Sequence, residues 1–226
     1  MTAAMVFAAG FGTRMMPLTA DRPKPMVEVA GRPLIDHALA IAKSAGAAPV
    51  VVNTHYRPEA LRAHLAGRAV VLSHEPVLLD TGGGLRAALP FLGPGPVLTL
   101  NSDMVWRGPN PFAVLEAAWD PARMDGLLLL LDARARGGAG SGDFALEGGR
   151  ITDRPGPWTY SGAQMIRTKG LAEVSEEAFS LNVLWNRMLA QGRLYGLPYE
   201  GEWRDVGTPA GIAPAEALLA GTAARA

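Results

Sequence analysis

Two cations stand near the start of the chain, Arg14 inside a glycine loop and Lys24 just after it, and two aspartates stand much further along, Asp103 and Asp205. The loop reads Gly10-Phe11-Gly12-Thr13-Arg14-Met15-Met16-Pro17-Leu18-Thr19 and is followed by Pro23-Lys24-Pro25. Two glycines directly after a strand let backbone N–H groups approach a triphosphate closely, and Arg14 and Lys24 supply cations for its charge. The string is not a Walker A loop, because no Gly-Lys-Ser/Thr closes it. Nor is it the dinucleotide fingerprint, because Thr13-Arg14 and prolines follow Gly12 where that motif needs a helix-opening glycine.

Asp103 ends Asn101-Ser102-Asp103, directly after an apolar run, at the sheet edge where open α/β folds hold their ligands. It is a candidate metal ligand, and a helix cap or turn is the alternative use of an aspartate there. Asp205 offers a second carboxylate just before the last helical stretch, within Glu202-Trp203-Arg204-Asp205-Val206-Gly207-Thr208-Pro209. Magnesium takes one or two carboxylates plus phosphate oxygens and water, so two aspartates suffice. Leu79-Asp80-Thr81-Gly82-Gly83-Gly84 is a glycine run that can let a base or ribose lie against bare backbone, or form a flexible turn capping the helix after it.

The loop string, the Pro-Lys-Pro after it, the strand-end Asp103 and the late Trp203-x-Asp205-Val206-Gly207-Thr208 together resemble the signature of the sugar-phosphate nucleotidyltransferases. The resemblance implies a Rossmann-like α/β fold: a mixed, mainly parallel sheet flanked by helices, with a small α+β sugar-binding annex. It implies a reaction that joins a nucleoside triphosphate to a sugar 1-phosphate and releases pyrophosphate. The catalytic residues would be Arg14, Lys24, Asp103 and Asp205, with Mg2+ held by Asp103 and Asp205. Ala8, Ala9, Gly10, Gly12, Thr13, Arg14, Asn53, Gly82, Gly83 and Asn101 would bind the nucleotide, and Asp143, Tyr160, Ser161 and Gly162 the sugar. The Thr-Gly-Gly-Gly and Tyr-Ser-Gly strings and the short chain, with no room for an appended acyltransferase domain, point within the family to UTP and N-acetylmuramate 1-phosphate. GTP with mannose 1-phosphate is the alternative pair. One departure stands out: larger family members often carry Glu-Lys-Pro before the sugar-contacting strand, where this chain has Asp153-Arg154-Pro155, so Arg154 is only a candidate substitute for the missing lysine.

Elements that would position these residues follow from the apolar pattern. Strands are expected at 3–9, 49–53, 69–74, 96–101 and 126–131, with helices at 34–45, 59–66, 85–89 and 112–119 between them. Such alternation predicts a mainly parallel sheet covered on both faces. After about residue 134 the pattern changes. A glycine cluster (Gly137, Gly138, Gly140, Gly142) precedes a hairpin at 143–153 turning at Gly148-Gly149, then a strand at 160–167, a helix at 181–190, a strand at 194–198 and a closing helix at 209–219. A single domain over 1–226 is expected, 1–133 forming the nucleotide half and 134–226 the sugar half.

Composition narrows the class further. Among 226 residues, 21 Lys and Arg balance 21 Asp and Glu, so no global field draws nucleic acid or an anionic membrane. The expected partners are the two small-molecule substrates, with no obligate protein partner. Zero cysteines exclude disulfides, thiolate zinc sites and thiol nucleophiles, consistent with the cytoplasm expected of a chain whose start reads as a buried strand. The four histidines need not act as bases, because the attacking phosphate is already anionic; His55 alone, at a strand end, could face the nucleotide. A non-catalytic nucleotide-sugar sensor is expected to lose one of the four charged residues. A glycosyltransferase would carry Asp-x-Asp, of which Asn101-Ser102-Asp103 has only the second carboxylate.

Overall fold

Period-two burial along the apolar runs builds the sheet. In the computed structural model, which describes residues 1–133 and 142–222, Ala4 and Val6 point to one face and Met5 to the other. Val50 and Val52 oppose Val51 in the same way, and Leu127 and Leu129 oppose Leu128 and Leu130. Each face therefore carries its own apolar core, and helices must cover both.

The chain runs β1 (Ala4–Phe7), β2 (Glu28–Val29), β3 (Arg32–Pro33), α1 (Leu34–Ser44), β4 (Val50–Thr54), α2 (Pro58–Leu65), β5 (Val71–His74) and α3 (Asp80–Leu92). It continues through β6 (Pro96–Asn101), β7 (Met104–Arg107), α4 (Pro111–Ala118) and β8 (Gly126–Asp132). The remainder is β9 (Phe144–Glu147), β10 (Arg150–Arg167), α5 (Asn182–Ala190), β11 (Leu194–Pro198), β12 (Glu202–Asp205) and α6 (Ile212–Leu219). Strand order is β11-β8-β10-β6-β1-β4-β5, with β9 paired to β10. β10 runs antiparallel to both β6 and β8, while the β11–β8, β6–β1, β1–β4 and β4–β5 pairs are parallel. Leu85 and Ala88 of α3 and Trp185 and Met188 of α5 cover one face; Ile35 and Ala38 of α1, Leu61 of α2 and Phe112 of α4 cover the other.

A third, smaller core lies under the site. Met15 from the phosphate loop, Val105 from β7, Val206 after β12, and Ala215 and Leu218 from α6 pack together. The antiparallel pair β7–β12 sets Asp205 opposite Met104, so the residue next to Asp103 and the late aspartate share one ladder.

Three expectations change. The helix expected at 85–89 begins at Asp80, so Gly82, Gly83 and Gly84 lie inside α3. The strand holding Tyr160 belongs to the main sheet, between β6 and β8, so the second half is joined to the first more closely than an annex would be. β10 also runs unbroken through Pro155-Gly156-Pro157, because it pairs with β9 and β8 along its length with shifts in register. The hairpin turn at Gly148-Gly149 is as expected. Gly137, Gly138 and Gly140 lie outside the described residues.

Candidate active site

A cleft of about 420 Å³ opens at the C-terminal edge of the parallel strands. The phosphate loop forms one wall. Gly12 has a φ of +65°, and an added Cβ would lie 2.9 Å from Lys24 Cβ and 3.1 Å from Thr19 Cγ2, so only glycine fits this turn. The buried Thr19 hydroxyl donates to the Gly12 carbonyl at 2.8 Å and pins the loop. Ala8, Ala9, Gly10, Gly12, Thr13 and Arg14 all line the cleft, as do Asn53 and Asn101. Eight of the ten expected nucleotide residues therefore gather in one place.

Gly82 and Gly83 do not, and the reason is packing. Their N–H groups donate to the Phe179 carbonyl at 2.8 and 3.0 Å, and added Cβ atoms would overlap the Phe179 ring and the Glu177 carbonyl. They are seats for the segment ahead of α5 rather than bare backbone facing a base. Leu78, Asp80 and Thr81 stand on the cleft wall instead. Glu75 also lines it without having been noted in the sequence, as do Ser102 and Gly207, which were quoted only as members of their strings. Glu75 follows a strand end with no pattern around it; Asp80 and Thr81 were legible only as neighbours of the glycines.

The four charged residues converge. Lys24 Nζ donates to Asp103 Oδ2 at 2.5 Å, with both side chains mostly buried. The Val206 N–H donates to the Asp103 carbonyl at 2.9 Å, which draws the segment after β12 against the end of β6. Burial pushes the Asp205 carboxyl above its ordinary range and the charge of Asp103 pushes it further, while Lys24, Arg14 and the Gly207 N–H pull the other way. Asp205 Oδ1 is buried without a hydrogen-bond partner. Two carboxyl groups held together, one with an unmet oxygen, are a donor set that a hard cation could complete. Among the described residues no group of three or more His, Cys, Asp or Glu forms a metal cluster, so a cation here would complete its shell from substrate oxygens and water. The donor set fits Mg2+, a hard ion that accepts few protein ligands.

The expected sugar residues stand apart from the cleft lining. Gly162 comes nearest: at φ +89°, within a register shift of β10 against β8, it packs on Asn101 Cβ and Nδ2 and has no room for a side chain. Ser161 is fully buried, its carbonyl accepting from Trp203 Nε1 at 2.8 Å. Tyr160 packs edge-on to Trp185 at 4.9 Å, and burial drives its phenol well up. The exposed Asp143 accepts from the Tyr160 N–H at 2.8 Å. Arg154 lies over the Phe144 ring at 4.7 Å and donates to Asn186 Oδ1 at 3.0 Å and Asn182 Oδ1 at 2.9 Å. His55 hydrogen-bonds the Glu75 carbonyl at 2.9 Å and packs edge-on to Phe11, which braces the loop from outside.

Known proteins resemble this chain in sequence and in fold. Residues 4–136 match the MobA-like NTP transferase domain. The N-acetylmuramate alpha-1-phosphate uridylyltransferase of Caulobacter vibrioides is 42% identical, over 96% of this chain and 96% of its own. The protein of that name in Neisseria meningitidis is 33% identical, over 95% and 97%. A mannose-1-phosphate guanylyltransferase catalytic subunit beta of Dictyostelium discoideum is 30% identical over 91% of this chain, which spans 61% of that protein. A solved UDP-glucose pyrophosphorylase complexed with UDP-glucose shares the fold, with a TM-score of 0.80 at 17% identity over 99% of this chain and 100% of that one. Cleft, converging charges and end-to-end likeness agree: the chain belongs to the NTP transferase family, among the sugar-phosphate nucleotidyltransferases.

Proposed function

We propose that this protein transfers a uridylyl group from UTP to N-acetylmuramate 1-phosphate, giving the nucleotide sugar and pyrophosphate, as a step of cell-wall recycling in the cytoplasm. The observation that carries the choice of substrates is the end-to-end likeness to the Caulobacter uridylyltransferase, 42% identical over 96% of both chains. The guanylyltransferase relative is less similar, and this chain spans only 61% of it.

In this reading an oxygen of the sugar phosphate attacks the α-phosphorus of UTP, the bond from that phosphorus to the bridging oxygen breaks, and pyrophosphate leaves in line. The nucleophile is anionic already, so no side chain has to remove a proton. Arg14 and the loop N–H groups hold the triphosphate, and Lys24 offsets charge gathering on the reacting phosphates. The end of β6 and the β7–β12 ladder hold Asp103 and Asp205 ready for Mg2+, and the unpartnered Asp205 Oδ1 supports that role. When bound, the ion would polarise the α-phosphate and stabilise the leaving oxygens. On the sugar side, Arg154 is proposed to meet the sugar phosphate in place of a lysine.

A panel of four nucleoside triphosphates against several sugar 1-phosphates tests the assignment. A buried polar match to one base discriminates by several powers of ten, because a mismatched base leaves donors and acceptors unpaired. UTP with N-acetylmuramate 1-phosphate is the expected best pair. Preference for GTP with mannose 1-phosphate overturns the substrates and spares the class.

A further inference from the structure

One buried carboxylate in the cleft wall has no part in the phosphate chemistry above. Glu75 lines the cleft yet is only 1% exposed. Its Oε1 accepts from Asn53 Nδ2 at 2.7 Å and its Oε2 from the Leu79 N–H at 3.0 Å. Asn53 Oδ1 accepts in turn from the Ala8 N–H at 2.6 Å. One side chain thus ties the ends of β1 and β4 to the residue that leads into α3. Gly84 makes the space for it: an added Cβ would come 2.6 Å from Glu75 Oε1 and 3.1 Å from Asn53 Nδ2.

A carboxylate accepts at both oxygens, so it can meet two donors that converge from different elements, which an amide of the same shape cannot. It also decides the direction of the Asn53 amide, nitrogen toward Glu75 and oxygen toward Ala8. Asp80, one residue beyond the Leu79 N–H, is a non-glycine residue at φ +59°, and its Oδ1 accepts from the Thr81 N–H at 2.5 Å. Backbone in that region persists only where its surroundings hold it, and the Glu75–Leu79 bond is such a hold.

We propose that Glu75 is a positioning residue for the nucleoside triphosphate: it fixes the Asn53 amide and the chain into Asp80 and Thr81, so that this wall of the cleft is set before the nucleotide arrives. The inference rests on the reading of the cleft as a triphosphate site.

The test is calorimetric titration of UTP into the full chain with magnesium and no sugar phosphate, so that nothing is consumed, alongside steady-state kinetics. In E75Q one of the two donors faces an NH2 group. The Kd and KM for UTP are then expected to rise about tenfold or more, with kcat at saturation within about threefold of wild type, since Arg14, Lys24, Asp103 and Asp205 are untouched. A loss of packing alone would lower the melting temperature and leave the KM of the folded enzyme in place. Gly84→Ala serves as the second variant, because its added Cβ would come 2.6 Å from Glu75 Oε1 and displace that carboxylate while every cleft-lining residue is kept. UTP affinity of folded Gly84→Ala should fall by about threefold or more with kcat held. E75Q with UTP affinity within about twofold of wild type overturns the proposal. Should E75Q fail to fold, Gly84→Ala carries the test: weakened UTP binding by the folded variant supports the proposal, and binding within about twofold of wild type overturns it. A wild-type chain that binds UTP but turns over no sugar 1-phosphate counts against the proposed function and leaves this comparison intact.

Discussion

Lys24 Nζ donates to Asp103 Oδ2 at 2.5 Å, bridging the phosphate loop and the end of β6. With 13% and 19% of their side chains exposed, both groups face the cleft from a partly dry setting in which charge is felt strongly. In the proposed reaction substrate phosphates would compete for Lys24 and a metal ion for Asp103, so binding would exchange this pair for two others.

That exchange separates the two cations. Lys24→Ala should lower kcat or raise the KM for the sugar phosphate, because its charge is assigned to the reacting phosphates. Arg14→Ala should mainly raise the KM for UTP. Initial-rate kinetics with each substrate varied in turn decide the matter; variants with unchanged kcat and both KM values unchanged remove the loop from the site.

Asp103→Asn and Asp205→Asn should each cut kcat by about a hundredfold or more, roughly 3 kcal/mol of transition-state stabilisation, with the fold intact by circular dichroism. Near-wild-type turnover in either variant at saturating magnesium takes that residue out of the metal site. Magnesium should also raise the melting temperature of the wild type and not of Asp205→Asn, which reads the ion without any reaction.

Asp205 carries a stability cost of its own. Burial first, and then the charge of Asp103, raise its carboxyl above the ordinary range, so the folded state holds a proton that the unfolded state has released over the window between the two values. Metal-free stability should therefore fall as pH rises through that window, and Asp205→Asn should melt higher than wild type at neutral pH. Chelator-treated protein followed by thermal melts from pH 4 to 7 checks it; equal melting points at pH 7 contradict the cause given.

Asp36 has the opposite sign. Burial raises its carboxyl, but hydrogen bonds from His64 and Arg68, at 2.9 and 2.6 Å, outweigh that and hold it below its usual value. Its stabilisation is present above the ordinary carboxylate pKa and lost as pH falls through the lowered one. Asp36→Asn should cost stability at pH 7 and progressively less in acid, as parallel melts of variant and wild type will show.

Gly83→Ala places a Cβ 2.5 Å from the Glu177 carbonyl, where backbone has to move. A loss of about 1–3 kcal/mol in urea unfolding is expected, as for overpacking elsewhere. A neutral substitution would restore the reading of that glycine as cleft backbone.

The glycine run shows where sequence reading reaches its limit. Gly82, Gly83 and Gly84 announce a close approach, but the letters do not say what approaches: here Phe179, Glu177 and Glu75, the first two about a hundred positions later. Strands β1, β4, β6 and β8 and helices α1, α2 and α4 were legible because each carries its own periodic apolar face. The glycine loop at 10–19 was legible as a turn on the cleft wall because one contiguous string carries its glycines and Arg14. The β7–β12 ladder that delivers Asp205 was not, because pairing between distant short strands leaves no local period. Glu75 escaped notice for a related reason: its side-chain partners come from β4 and the α3 entry, and nothing adjacent to it marks it.

Pyrophosphate release from UTP with N-acetylmuramate 1-phosphate, with and without a magnesium chelator, probes the nucleotidyl transfer proposed at Asp103 and Asp205. One pyrophosphate is expected per nucleotide sugar formed, none when either substrate is omitted, and none after chelation. UTP that binds and is never cleaved, or pyrophosphate release that proceeds undiminished without the sugar phosphate, would contradict that chemistry.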